Sequence, residues 1–351
     1  MSVINGVLFH AIGASAASSC YTPQKKTQSW SWQTYWLAQA FVCWLLLPVI
    51  GAWITIPQLW QVILEAPKDA MYKSFILGAA YGIGGTAFGL AIRYVGFSLN
   101  YAIAVGISSV VGTLLPPLVH GELGMILNKT GSGWVMSGVA IGALGIAICG
   151  LAGRLKEKDL EINKNLSSSF SLAKGLPLCL LAGILSGVYG FALDQGQPIA
   201  DVAVKYGAGR FQGNIIYIFS NAGAFFSTAI YCMYLHVKQN TFGEYKKILG
   251  NEKSFALSLN YLLAFLTGLM WYSQFFFYGL GHTLMGAYKF SSWAVHMILL
   301  VLFSSIVGLV LKEWMGGKRR TKWVLALALT ILILSILILT YGNYLGTESA
   351  L

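Results

Sequence analysis

Long apolar runs alternate with short polar connections along the whole chain, and no polar stretch is long enough to make a separate domain. Bounding each run by its nearest charges and turn residues predicts helices over 3–21, 35–56, 74–93, 99–119, 134–153, 174–194, 211–235, 255–280, 290–312 and 323–344. Each comes close to the roughly 20 residues that an α-helix needs to cross about 30 Å of hydrocarbon. Lipid offers the backbone no hydrogen-bond partners, so runs of this kind fold as helices. The expected fold class is an all-α polytopic membrane protein of about ten transmembrane helices.

Small residues recur at helical spacing within several runs. Gly78, Gly82, Gly85 and Gly89 share one face of the third helix; Gly138, Gly142 and Gly145 mark the fifth, and Gly183, Gly187 and Gly190 the sixth. Such faces let helix backbones approach closely in a bilayer. The cluster Gly82-Ile83-Gly84-Gly85 is read as packing, because a phosphate-binding loop would need a strand before it and Lys-Ser/Thr after it.

The segment Ser108-Ser109-Val110-Val111-Gly112-Thr113-Leu114-Leu115 in the fourth helix recurs as Ser304-Ser305-Ile306-Val307-Gly308-Leu309-Val310-Leu311 in the ninth. Five spans separate the copies, and an odd number inverts the second copy in the membrane, as in many secondary transporters. The expected organisation is a first five-helix repeat over 1–153, a cytoplasmic connecting loop over 154–173 and a second five-helix repeat over 174–351.

Composition agrees with this pattern. The chain is 56% hydrophobic and only 10% charged, which is more apolar material than one water-soluble core buries. A net charge of +11 would suggest nucleic acid in a soluble protein, but here the basic residues sit in the connections. The odd-numbered loops hold 17 Lys and Arg residues and the even-numbered loops 6. Basic loops stay cytoplasmic, so a multi-pass inner-membrane protein with both termini periplasmic is expected. Ala14-Ser15-Ala16 resembles a signal-peptide cleavage site, yet no Lys or Arg precedes the first apolar run and His10 interrupts it. A retained first helix is therefore expected. The five cysteines are scattered singly, which implies neither a disulfide framework nor a metal site, and no cofactor is implied.

Polar groups at membrane depth are costly and mark function by default. His10 and His296 lie at similar depth on helices that run the same way, and Asp194 and Gln274 fall in the same slab. Histidine titrates nearest physiological pH, so His10, His296 and Asp194 are the proton-coupling candidates. The eighth helix carries Trp271, Gln274 and Tyr278, and the ninth begins near Trp293. Rings with apolar faces beside an amide suit a sugar, so these four are the substrate-binding candidates. Arg93 joins them as a fifth, its alternative role being an anchor that snorkels to lipid headgroups. Trp30, Trp32, Trp36, Trp134, Trp314 and Trp323 are read as interfacial aromatics. Asn214, Asn221 and Asn260 are read as helix-to-helix hydrogen-bond partners. Enzyme signatures such as His-Glu-x-x-His or a nucleophile elbow are absent from the sequence, as are the rings of like charge that line channels.

Several segments together resemble the L-rhamnose/proton symporter family of the drug/metabolite transporter superfamily. They are Gly82-Ile83-Gly84-Gly85 through Arg93-Tyr94-Val95-Gly96-Phe97-Ser98-Leu99, then Gly112-Thr113-Leu114-Leu115-Pro116-Pro117, Ser291-Ser292-Trp293-Ala294-Val295-His296-Met297 and Val310-Leu311-Lys312-Glu313-Trp314. The opening His10-Ala11-Ile12-Gly13, followed by Tyr21, Pro23, Lys25, Lys26 and Trp30-Ser31-Trp32, is similar as well. The resemblance implies two inverted five-helix repeats around a central cavity and a proton-coupled importer of a deoxy-sugar, L-rhamnose first. Exporters or exchangers of the superfamily are the alternative, and a membrane-embedded enzyme is the remaining class. The implied partners are a sugar, protons and the lipid bilayer, with a homodimer admitted and no nucleic acid.

Overall fold

The computed structural model describes residues 3–95, 97–164, 172–246, 254–312 and 314–348. Among the described residues there is no strand, and the apolar runs form helices. They are α1 (Val3–Ser19), α2 (Trp32–Thr55), α3 (Lys68–Val95), α4 (Phe97–Val119), α5 (Ser132–Lys164), α6 (Leu172–Gln195), α7 (Asn214–Gln239), α8 (Ser254–His282), α9 (Ser292–Val310) and α10 (Arg319–Glu348). Eight of these are long and apolar enough to cross a membrane by length and hydropathy, and α1 is a shorter apolar helix. At about 1.5 Å per residue, the 29 residues of α8 also exceed the thickness of the hydrocarbon. The chain is an all-α, multi-pass membrane protein.

The largest departure from the expected boundaries is at α5, which continues to Lys164 although its apolar run ends near 153. Hydropathy locates where a helix leaves lipid, not where its hydrogen bonding stops. Arg154, Lys156, Glu157, Lys158 and Asp159 are polar, but their alternating charges are tolerated in a helix that emerges into water. The Lys156 ammonium lies 4.6 Å from the Trp314 ring centroid. Asp159 accepts the Lys318 backbone N–H at 2.8 Å and the Thr321 hydroxyl at 2.6 Å, capping the start of α10. The expected connecting loop therefore begins as helix, and residues 165–171 lie outside the described residues.

The chain forms two compact units. The first comprises Met1–Ser18, Gly84–Phe191 and Leu280–Leu351, and the second Ser19–Ile83 and Ala192–Gly279. In the first unit the glycine faces of α5 and α6 act as close-contact surfaces. Gly138 and Gly145 lie against Leu339 and Leu332 of α10, and Gly183 and Gly187 against Ile107 and Val111 of α4. In the second unit the α3 glycines meet α7, where a Cβ at Gly78 would overlap the Ser220 carbonyl and one at Gly82 the Ala224 carbonyl. Gly223 answers from α7 against the Phe75 carbonyl. Without a hydrophobic driving force between helices in lipid, such backbone contact is a main source of association.

Candidate functional site

In the first unit three histidines converge. His10 on α1 and His296 on α9 are buried, and their ring centroids are 5.7 Å apart with the planes at 68°. The His10 ring rests on the end of α8, where a Cβ at Gly281 would fall 2.9 Å from its Cδ2 and Nε2. Gly6, one turn earlier on α1, meets the Gly281 carbonyl, so the α1–α8 crossing depends on both glycines. His282 follows directly and pairs through Nδ1 with the Ser292 hydroxyl at 3.1 Å, within electrostatic reach of His10. Two positive rings 5.7 Å apart repel by about 3 kcal/mol at an effective dielectric constant near 20. That is a disadvantage of about a hundredfold, so the cluster favours one proton over two.

Trp293, three residues before His296, donates its indole N–H to the Ser108 carbonyl at 2.9 Å. Its ring lies against Gly112 and Gly190 and beside Tyr189. A ligand could reach only what these neighbours leave of its face.

In the second unit an aromatic cluster gathers around Trp271. Trp36 and Trp44 of α2 meet it edge-on, with centroids 5.7 and 5.5 Å away. Tyr21 stacks on Trp36 at 6.2 Å and turns an edge to Trp271 at 5.5 Å, and Tyr81 of α3 stands 6.0 Å from Trp44. Trp36 and Trp44 both reach Trp271 because α2 contains a wide turn over Val42–Leu46, in which the Leu47 N–H bonds the Val42 carbonyl. Pro48 lies just beyond this turn. Having no N–H, it cannot bond the Trp44 carbonyl, and the i→i+5 register accommodates the break.

Gln39, one turn after Tyr35, lies on the α2 face that packs on α8. Tyr35 bonds Thr267 at 2.6 Å and the Leu263 carbonyl at 3.2 Å, while Val42 and the Gln39 carbonyl lie against Gly268. Gln39 is wholly buried, and neither of its amide atoms has a hydrogen-bond partner among the described residues. The indole N–H groups of Trp36 and Trp44 and the Tyr272 hydroxyl are in the same condition.

A family model described as L-rhamnose-proton symport protein matches residues 1–344. The chain belongs to the L-rhamnose-proton symport protein family. It is 35% identical over 343 residues to an L-rhamnose-proton symporter of Cronobacter sakazakii, covering 97% of this chain and 98% of that protein. Proteins of the same name from Klebsiella pneumoniae and Shigella boydii are 34% identical, at the same coverage. Membership of this symport family makes the chain a membrane transporter and not an enzyme.

Of the sequence candidates in this symport-family chain, the structure brings His10 and His296 together. Trp271, Gln274 and Tyr278 are all buried and share one face of α8 in the second unit. Asp194, also in the second unit, is half-buried at the end of α6, accepts the Gln195 amide at 3.3 Å and lies within electrostatic reach of Tyr278. The Arg93 side chain lies outside the described residues. Trp134 and Trp323 are exposed, as interfacial anchors should be, whereas Trp36 and Trp314 are buried. Asn214 bonds Thr55 of α2 as expected, but Asn260 pairs with the Gln28 backbone in the connection after α1 and not with a helix. Sequence reading missed His282, which stands at a helix end, and the group of Trp36, Gln39 and Trp44.

Proposed function

We propose that this chain imports L-rhamnose together with protons across the bacterial inner membrane, with both termini on the periplasmic side. The observation that carries the reading is the match of nearly the whole chain to the L-rhamnose-proton symport family, with relatives of that name at 34–35% identity. The buried histidine cluster supports His10 and His296 as proton carriers, with His282 as a third member. One proton at a time fits their mutual repulsion. Asp194, beside Tyr278, is the second-ranked carrier. The 17-to-6 excess of basic residues in the odd-numbered loops supports the orientation.

The partition of the chain supports the inverted five-helix repeat. The chain crosses from one unit to the other inside α1, α3, α6 and α8. Under a five-helix repeat α6 is the counterpart of α1 and α8 of α3. The helices wholly within a unit also come as counterparts: α4 with α9 and α5 with α10 in the first, α2 with α7 in the second.

The test is uptake of labelled L-rhamnose by proteoliposomes holding the purified protein. Sugar entry should collapse with an uncoupler, and adding L-rhamnose to de-energised vesicles should make a weakly buffered medium more alkaline. Uptake indifferent to both pH and uncoupler would make the protein a facilitator.

A further inference from the structure

Unpartnered polar atoms in a membrane-embedded helix are destabilising, because lipid supplies no donor or acceptor. Among the described residues of the second unit, both amide atoms of Gln39, the indole nitrogens of Trp36 and Trp44, and the Tyr272 hydroxyl oxygen are nevertheless such atoms. The rings of Tyr21, Trp36 and Trp44 gather on Trp271, and Gln39 lies one turn beyond Trp36 on the same helix. Apolar walls with a few convergent polar groups are the composition of small-molecule sites, and a wide helical turn of the kind found at Val42–Leu46 recurs at functional positions.

The chemistry of the cluster narrows the ligand. Gln39, Trp36, Trp44, Trp271 and Tyr272 carry no formal charge, so an ion gains little from them. A purely apolar ligand would leave the polar atoms of Gln39, Trp36, Trp44 and Tyr272 unsatisfied. A neutral molecule with several hydroxyls and one apolar edge meets both demands, and a monosaccharide is such a molecule.

We propose that Trp36, Gln39, Trp44 and Trp271 form a monosaccharide-binding subsite. The Gln39 carboxamide donates to the ring oxygen or a hydroxyl and accepts from a hydroxyl, the Trp36 and Trp44 N–H groups donate to further hydroxyls, and the indole faces carry the apolar edge of the sugar. With a 6-deoxy-hexose that edge includes the C6 methyl group. The identity of the sugar rests on the function proposed above; the placement of the subsite does not.

The test is calorimetric titration of the whole protein in lipid nanodiscs with L-rhamnose, L-mannose and a panel of other neutral monosaccharides. L-Mannose differs from L-rhamnose by a hydroxyl at C6, and should bind up to about a hundredfold more weakly if the methyl group meets an apolar wall. Gln39→Leu keeps the volume and removes both hydrogen-bonding atoms. It should weaken sugar binding by about a hundredfold or more while the unliganded protein unfolds at the same or a higher temperature. Trp36→Phe keeps a ring, loses the N–H and should weaken binding about tenfold. Sugar affinity within threefold of wild type in either variant overturns the subsite, and if Gln39→Leu does not fold, Trp36→Phe decides alone. If wild type prefers another neutral sugar and Gln39→Leu abolishes that binding, the subsite stands and the L-rhamnose assignment falls. If wild type binds no sugar of the panel, both fall.

Discussion

The most informative perturbation is His296→Gln. Glutamine retains hydrogen-bonding capacity at a site that is almost fully buried, but it cannot carry a proton at any working pH. The size of the effect follows from energetics. One proton entering down a 100 mV potential supplies about 2.3 kcal/mol. At about 1.4 kcal/mol per tenfold ratio, this sustains roughly 40-fold accumulation of a neutral sugar. If His296 carries the coupling proton, the variant should equilibrate L-rhamnose to a ratio near one under the same potential. It should keep downhill exchange and lose sugar-induced alkalinisation. His10→Gln should act in the same direction with a smaller effect. Because two charges 5.7 Å apart are disfavoured, two histidines that carry the coupling proton would share a single one, and the double variant should be little worse than His296→Gln alone. The assay is the steady-state ratio of labelled sugar in proteoliposomes under a potassium-diffusion potential, with counterflow as the control for folding and binding. Both single variants accumulating about 40-fold with unchanged pH dependence would refute the reasoning and leave these rings as packing groups.

Three further outcomes are expected. Gly78→Leu drives a side chain into the Ser220 carbonyl and should prevent close packing of α3 on α7, seen as loss of the monodisperse peak when a fluorescent fusion is run on size-exclusion chromatography. Glu244→Ala removes the carboxylate that accepts the Ser31 N–H and hydroxyl, each at 2.8 Å, and the Thr34 hydroxyl at the start of α2; it should cost about 1–2 kcal/mol, read as a lower unfolding temperature. Reporter enzymes active only outside the cytoplasm should work when inserted near Asn128 and fail near Lys158 or Asn240, and the opposite pattern would reverse the orientation drawn from the loop charges.

The fold was legible because its strongest determinant is one-dimensional. A run of apolar residues must pair its backbone internally in lipid, so span number follows from hydropathy without knowledge of partners. The glycine faces were legible for a related reason: spacings of three and four can only mean one helix face. What they touch, α7 for Gly78 and α10 for Gly138, was not legible, since apolar faces in a bilayer differ little from one another. Helix ends escaped too, as at α5, where polarity and helix termination occur at different residues.

The site was legible in proportion to how unusual each residue is in its surroundings. A histidine in mid-span stands out alone, which is why His10 and His296 were singled out and the structure finds them side by side. His282 does not stand out, because a polar residue at a helix end needs no explanation until the fold brings it within reach of His10. Trp36 was read as an interfacial anchor, since three tryptophans at 30, 32 and 36 mark the edge of a span. In a regular helix Trp44, eight residues on from Trp36, would lie about 80° around the axis. The extra residue in the wide turn over Val42–Leu46 brings both rings to Trp271. The one sequence trace of that turn is Pro48, whose missing N–H breaks the regular ladder at Trp44. A proline shortly after a tryptophan inside an apolar run is thus a signal worth reading as a change of helical register, and with it a change in which residues share a face.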